Sequence, residues 1–183
     1  MKKFLCLIIS GLLCFPSGMT GKKKGHYEPL FGKKYASYAV TSSSLKGATF
    51  YLVSGHGGPD PGCIGKYRGK ELHEDEYAYD IILRLGRELM KRGAKVHFII
   101  QDAKDVIRDQ AILNNSKRET SKGKAIPMKQ VARLQQRCDA VNRMYRKDKR
   151  SYKRDVFIHV ASSEEHTSEL QSHHDLVCRL LLE

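Results

Sequence analysis

Hydrophobic residues along the middle of this chain fall into patterns typical of strands that alternate with helices. The apolar stretches at residues 49–53, 95–100 and 155–160 predict three buried strands. Apolar or small residues at helical spacing predict helices over about 74–92 and about 129–146. A strand, a helix and a strand in this order form a right-handed unit with parallel strands. The pattern therefore predicts an α/β domain with a mostly parallel, twisted sheet flanked by helices.

The N-terminus has the layout of a secretory signal peptide. Two lysines precede an apolar run over residues 4–15, and small and turn residues follow at 16–18. The apolar run is shorter than the about 20 residues that a membrane-spanning helix needs. The sequence therefore predicts an exported protein, periplasmic or extracellular, with no stable membrane span after cleavage of residues 1–19. Residues 20–47 are rich in Lys, Gly, Ser and Tyr without a sustained period, which predicts a flexible linker.

The C-terminal segment does not match the rest of the chain. Residues 163–172 resemble the translation of a common sequencing adapter. We therefore predict that residues 162–183 are a non-native tail and that the natural domain spans residues 48–161, incomplete at its C-terminus. His173 and His174 are excluded as metal ligands for this reason. Because the tail holds five acidic residues and one basic residue, its removal changes the formal net charge from +13 to +17.

This basic charge favours polyanionic partners. For an exported protein the expected partner is peptidoglycan with its attached anionic polymers, and not nucleic acid. The sequence also lacks the interleaved basic and aromatic residues that bind single-stranded nucleic acid. The polar and basic stretch over residues 102–128, which we call the insertion, predicts a loop.

Cys63 and Cys138 are the cysteines that remain once the signal peptide and the tail are set aside. An oxidising compartment would allow them to pair. Two separate thiols agree equally well with the sequence, which does not fix the distance between the two Cα atoms. The pairing and the oligomeric state are therefore left open.

Candidate metal ligands lie close to the predicted strands and the first helix. His56 lies in the Gly- and Pro-rich stretch 54–62, directly after the first strand, where ligands gather in open α/β sheets. Glu74 opens the first helix, and His159 lies near the C-terminal end of the third strand. Parallel elements would bring the three side chains to one edge of the sheet. Two imidazoles and one carboxylate form a ligand set of catalytic zinc sites, which keep a fourth position for water.

Glu76 is a rival ligand from the same helical turn as Glu74. Glu74 shares a helix face with Ala78 and Ile81, whereas Glu76 shares its face with the polar Asp80. We therefore expect Glu74 to face the sheet and to bind the metal. Acidic residues also suit a helix N-terminus, so a purely structural role for Glu74 stays open.

These residues resemble the motifs of the zinc-dependent N-acetylmuramoyl-L-alanine amidases, a family that includes the bacterial cell-separation amidases. The Gly55–Gly62 loop resembles the family's Gly-His-Gly-Gly-x-Asp-Pro-Gly motif, and Glu74 matches the glutamate that follows it. The family also has a Leu-x-x-Arg-x-x-x-x-Asn helix and a Phe-Ile-x-x-His-like strand. Here these are matched by Leu134, Arg137, Asn142, Phe157, Ile158 and His159. The strand is one residue shorter before its histidine than the family pattern, and the resemblance covers residues 49–160.

The resemblance implies hydrolysis of the amide bond between N-acetylmuramic acid and L-alanine in peptidoglycan, with His56, Glu74 and His159 binding Zn²⁺. It also implies a general-base glutamate on a strand after the third ligand, for which the sequence before the tail has no match. The catalytic residue is therefore unassigned, and we expect little or no activity from the chain as written. We expect Arg137 and Asn142 to build the fold and not to contact substrate.

Two other functions remain open at this point. One is a non-catalytic, exported, zinc-containing module that binds the cell wall, which a native sequence without the glutamate would favour. The other is a zinc peptidase or deacetylase acting on the wall, although the sequence lacks the His-Glu-x-x-His metalloprotease motif. The reaction products distinguish an amidase from a peptidase, because an amidase frees intact stem peptides from glycan, whereas a peptidase cleaves bonds within the stem peptides.

Overall fold

The computed structural model describes residues 25–148 and the backbone of residues 154–160. The predicted signal peptide and the predicted non-native tail lie outside the described residues. In chain order the elements are β1 (His26–Tyr27), a 3-10 helix (Pro29–Phe31), α1 (Gly32–Tyr35), β2 (Ser37–Tyr38), β3 (Ala48–Ser54), β4 (Ile64–Tyr67), β5 (Lys70–His73), α2 (Glu74–Lys91), β6 (Lys95–Phe98), β7 (Ile100–Gln101), β8 (Thr120–Ser121), β9 (Lys124–Ala125), α3 (Gln130–Asp148) and β10 (Arg154–Val160).

The central sheet has three parallel strands, with β3 between β10 and β6. On one side Val53 pairs with His159, and on the other side Tyr51 pairs with His97. Each of the three strands and two helices that the sequence predicts occurs within a few residues of its expected bounds. The predicted α/β fold with parallel strands is therefore confirmed.

Strand β3 is buried along its whole length. Successive side chains of a strand point to opposite faces, so a strand covered on both faces has a continuous apolar sequence. Phe50 and Leu52 lie in a core cluster with Ile82 of α2. Tyr51 and Val53 lie in a second cluster with residues of α3. The two helices thus fix the strand from both sides, and they fix the point at which the loop carrying His56 begins.

Helix α2 starts and stops where local chemistry favours it. Three acidic residues fill its first turn, where the partial positive charge of the helix N-terminus stabilises them. Gly93, just beyond the helix, has a φ of 85°, the left-handed conformation that commonly ends helices. These two signals explain why the predicted bounds of about 74–92 agree with the observed ones. None of the described helices is long and apolar enough to cross a membrane.

The segment before β3 differs from the flexible linker that its composition predicts. Strands β1 and β2 pair with each other, and the 3-10 helix and α1 lie between them. Phe31 is fully buried and packs edge to face on Phe98 of the central sheet, with ring centroids 5.8 Å apart. Tyr35 donates a hydrogen bond to Asp109 at 2.8 Å. One buried aromatic ring and a few polar contacts hold this segment, and so short a segment shows no period in its sequence.

Two short hairpins occur outside the predicted strands, and the second lies in the insertion, for which the sequence predicts a loop. The β4–β5 hairpin turns at Arg68 and Gly69, with φ of 50° and 74°. The β8–β9 hairpin, inside the insertion, turns at Lys122 and Gly123, with φ of 50° and 79°. Two successive residues with positive φ are the conformation of the tight hairpin turns that match strand twist. The strands of both hairpins are too short to show an alternating pattern in the sequence. The feature that the two turns share is a basic residue followed by glycine.

Candidate metal centre

The loop after β3 holds His56 at the C-terminal edge of the central sheet. His56, Gly57, Gly58 and Gly62 all have φ between 56° and 98°, a region that glycine adopts readily and other residues rarely do. The Gly57 N–H donates to the Asp60 carbonyl at 2.7 Å and closes the turn. The chain therefore reverses immediately beyond the strand, and His56 stays beside the sheet edge, as the sequence predicts.

The structure brings His56 and Glu74 together. Nε2 of His56 lies 3.3 Å from Oε1 of Glu74, and their side chains are only 12% and 3% exposed. Two ligands that each lie about 2.0–2.1 Å from a tetrahedral zinc ion are themselves about 3.3 Å apart. The observed separation therefore equals the distance expected between two ligands of one zinc ion.

The other ring nitrogen of His56 has a carboxylate partner. Nδ1 lies 3.1 Å from Oδ2 of Asp60, and Asp60 in turn accepts from Arg133 at 2.7 Å and from the Gly62 N–H at 3.2 Å. Burial alone would lower the pKa of His56, but the hydrogen bond to Asp60 and the charges of Asp60 and Glu74 raise it overall. Histidines that bind metals usually have such a partner, which fixes the ring and its tautomer.

Glu74 is oriented by the backbone of the loop that it faces. Its Oε2 accepts the Cys63 N–H at 2.9 Å, and its own N–H donates to the Cys63 carbonyl at 3.1 Å. Gly62 lies so close that a Cβ there would be 2.8 Å from Oε2 of Glu74 and 2.8 Å from Cδ2 of His56. The glycine is therefore required both by the backbone conformation and by the space between the two side chains.

Glu76 lies in a different environment from Glu74. It is 1% exposed, and its carboxylate lies 2.8 Å from the guanidinium of Arg108 in the insertion. The placement of Glu74 beside His56 agrees with the sequence-based preference, but the prediction that the face with Ile81 is buried and the face with Asp80 is exposed was wrong. Asp80 is 8% exposed and Ile81 is 50% exposed. The reason is that the insertion covers the polar face of α2, where the Arg108 N–H donates to Asp80 at 2.8 Å.

Strand β10 brings the third predicted ligand to the same sheet edge. The backbone of His159 is in register with Val53, and that of Val160 is in register with Ser54. His56 follows Ser54 by two residues, so the strand that carries His159 ends beside the start of the His56 loop. The position of the His159 side chain lies outside the described residues.

Arg137 supports the His56 loop from helix α3. Its guanidinium donates to the His56 carbonyl, and the residue is 8% exposed. Burial lowers the pKa of Arg137 to about 10, and the nearby charge of Arg133 acts in the same direction. These contacts support the expectation that Arg137 builds the fold.

A group of acidic residues that the sequence pattern does not predict packs against the same loop. We call this group the acidic cluster, and its members are Asp75, Glu76, Asp102, Asp105 and Glu119. Glu119 accepts the Gly58 N–H at 2.9 Å. Burial raises the pKa of Asp75 to about 7 and the pKa of Glu119 to about 7. Three members belong to the insertion, where a polar sequence gives no sign that its carboxylates become buried.

Both cysteines in the described residues are free thiols. Cys63 is exposed and follows the His56 loop, and Cys138 is half-buried in α3. Burial raises the pKa of the Cys138 thiol. The structure therefore contains no disulfide between them, although the sequence left that pairing open.

Comparison with protein-family models, with curated proteins and with solved structures gives no match for this chain.

Proposed function

We propose that this chain carries the metal centre of a zinc-dependent N-acetylmuramoyl-L-alanine amidase that acts on peptidoglycan. The observation that carries the proposal is the 3.3 Å separation of His56 Nε2 and Glu74 Oε1, which suits two ligands of one zinc ion. The carboxylate of Asp60 beside the other ring nitrogen supports it. The register of His159 at the same sheet edge is a third support.

The residues of the chain have distinct roles in this proposal. His56, Glu74 and His159 would hold the zinc, and Asp60 would keep the His56 ring in the orientation that presents Nε2. Bound zinc would lower the pKa of a coordinated water to about 7 and polarise the scissile carbonyl. The burial of His56 and Glu74 would restrict the movement of both ligands and the access of bulk water from their side of the site. A general base, which amide hydrolysis also needs, is still to be assigned.

The β4–β5 hairpin suits the recognition of an anionic wall polymer. It connects the His56 loop to Glu74, and all residues of β4 are exposed. Lys66, Arg68 and Lys70 give it positive charge, and the Arg68 guanidinium lies 5.2 Å from the centre of the Tyr67 ring. Exposed cations attract carboxylates of peptidoglycan, and an exposed aromatic ring can pack against a sugar. We therefore assign substrate recognition to this hairpin, in an exported protein that associates with the cell wall.

Zinc binding to the full chain tests the metal centre. We expect one Zn²⁺ per chain, and we expect His56→Ala and Glu74→Gln to weaken binding by about 100-fold or more, since even the partners of metal ligands contribute about 10–100-fold. His73→Ala is the matched control, because this neighbouring histidine pairs with Glu71 at 3.3 Å and should leave zinc affinity unchanged. Unchanged affinity in His56→Ala would contradict the proposal.

The reaction itself is tested on the natural gene product. The source DNA is resequenced across and beyond the codon for Ala161, and the product is assayed on purified peptidoglycan. Release of intact stem peptides, dependent on zinc and on His56, is the expected result. Trimmed stem peptides would support a zinc peptidase instead, and zinc binding without any product would support a wall-binding module.

A further inference from the structure

The acidic cluster holds more negative charge than the described cations around it offset. Arg108 pairs with Glu76 at 2.8 Å and with Asp105 at 3.3 Å. Arg118 lies 3.7 Å from Asp102. In the part of the chain that the structure describes, these two guanidinium groups pair with three of the five carboxylates, and the ion pairs do not include Asp75 or Glu119. Buried carboxylates without a countercharge are strongly unfavourable, so Asp75 and Glu119 are stabilised either by protonation or by a bound cation.

Asp75 has a buried oxygen atom that lacks a partner. The residue is 3% exposed, and its Oδ1 accepts the Glu76 N–H at 3.0 Å. Its Oδ2 is buried and accepts no hydrogen bond from any described residue. Buried carboxylate oxygens in folded proteins are normally hydrogen-bonded, ion-paired or bound to a metal. This atom therefore provides an unused ligand position inside the cluster.

The geometry of three members suits one metal ion. Carboxylate oxygens of Asp75, Glu76 and Glu119 all lie within 4.8 Å of one another. Ligands at the calcium–oxygen distance of about 2.3–2.6 Å are at most about 5 Å apart. A ligand set made of carboxylates favours hard cations such as Ca²⁺, whereas zinc sites usually include nitrogen or sulfur ligands.

We propose that Asp75, Glu76 and Glu119 bind one hard divalent cation of the Ca²⁺ type, at a site separate from His56 and Glu74. The ion links the first turn of α2 to the insertion. Because Glu119 also accepts the Gly58 N–H at 2.9 Å, the ion fixes the His56 loop from the side of the insertion. This site stabilises the fold, and its existence does not depend on the amidase proposal.

Calcium titration of the full chain by calorimetry, after EDTA and buffer exchange, tests the site. We expect one Ca²⁺ per chain in the wild type and in His56→Ala. We expect binding weaker by at least about tenfold in Asp75→Asn and in Glu119→Gln. Zinc binding should show the opposite dependence: it should be lost in His56→Ala and kept in Glu119→Gln. One set of variants therefore distinguishes the two metal sites.

Thermal unfolding gives a second measurement on the same proteins. A calcium concentration 100-fold above the wild-type dissociation constant should raise the Tm of the wild type by roughly 10 °C, and that of Glu119→Gln by about half as much or less. Absence of calcium binding by the folded wild type would overturn the proposal. Calcium binding that is lost in His56→Ala and kept in Glu119→Gln would overturn it as well. The wild-type titration decides the question even where a variant fails to fold.

Discussion

Replacement of Gly62 by alanine is the most informative single change near the proposed zinc centre. Gly62 has a φ of 69°, and an added Cβ would lie 2.8 Å from Oε2 of Glu74 and 2.8 Å from Cδ2 of His56. Gly62→Ala therefore introduces backbone strain and also forces the two predicted ligands apart. Gly69→Ala provides the matched control, because Gly69 has a φ of 74° and open space where its Cβ would be.

A comparison of the two variants distinguishes the effect of backbone strain from the effect of displacing the two predicted zinc ligands. The left-handed conformation costs a non-glycine residue about 1–2 kcal/mol, so Gly69→Ala should lower the free energy of unfolding by that amount. Gly62→Ala adds an overpacking cost of about 1–3 kcal/mol, for a total of about 2–5 kcal/mol. Displacement of the Glu74 carboxylate or the His56 ring should weaken zinc binding by about 10–100-fold, whereas Gly69→Ala should bind zinc as the wild type does.

The assay combines urea unfolding with zinc titration against a chromophoric chelator. Urea unfolding in EDTA gives the stability difference without a contribution from zinc, and the chelator competition gives the affinity of the folded protein. If Gly62→Ala binds zinc as tightly as Gly69→Ala, the two side chains beside Gly62 do not share a zinc ion, and the argument from their 3.3 Å separation fails.

Three further outcomes follow from the packing and the charges. Asp148, 6% exposed, accepts from Lys95 at 2.5 Å and pairs with His97, and these hydrogen bonds lower its pKa against the opposing effect of burial. Asp148→Asn should therefore lower the free energy of unfolding by about 1–3 kcal/mol at pH 7. This difference from the wild type should shrink as the pH falls below 3.8, the ordinary pKa of the carboxyl. Urea unfolding of both proteins as a function of pH measures it. Gly86→Ala should destabilise by about 1–3 kcal/mol, although alanine usually favours helices, because its Cβ would overlap the Phe98 ring; a Tm at or above that of the wild type would refute this. Replacement of the three cations of the β4–β5 hairpin by glutamine should weaken sedimentation with purified peptidoglycan at low salt while zinc affinity stays unchanged, and equal sedimentation would remove the hairpin from substrate recognition.

The central sheet and its helices were predictable because their burial leaves a regular pattern. Strand β3 is covered on both faces and has a continuous apolar sequence. Helix α2 has acidic residues in its first turn and Gly93 just beyond its end. His56 was identifiable because the glycine-rich loop and the end of the strand both place it at the sheet edge. These are local signals, and each acts within a few residues.

The features that the sequence did not predict depend on contacts between distant segments. Phe31 is buried by packing on Phe98, a residue far along the chain. Asp80 is buried because the insertion covers it, so a helix face that is polar in sequence becomes an interior face. Glu119 lies against Gly58 for the same reason. A polar residue that is buried by a polar segment leaves no hydrophobic pattern, and only the folded structure identifies it.

X-ray absorption at the zinc edge of the zinc-loaded full chain tests the central claim most directly. Nitrogen and oxygen ligands lie about 2.0–2.2 Å from zinc, and sulfur lies at about 2.3 Å. The account predicts one zinc with two imidazoles and further oxygen ligands, without sulfur, and one imidazole fewer in His56→Ala. A sulfur ligand, as from the exposed Cys63 beside the site, or a spectrum that does not change in His56→Ala, would contradict it.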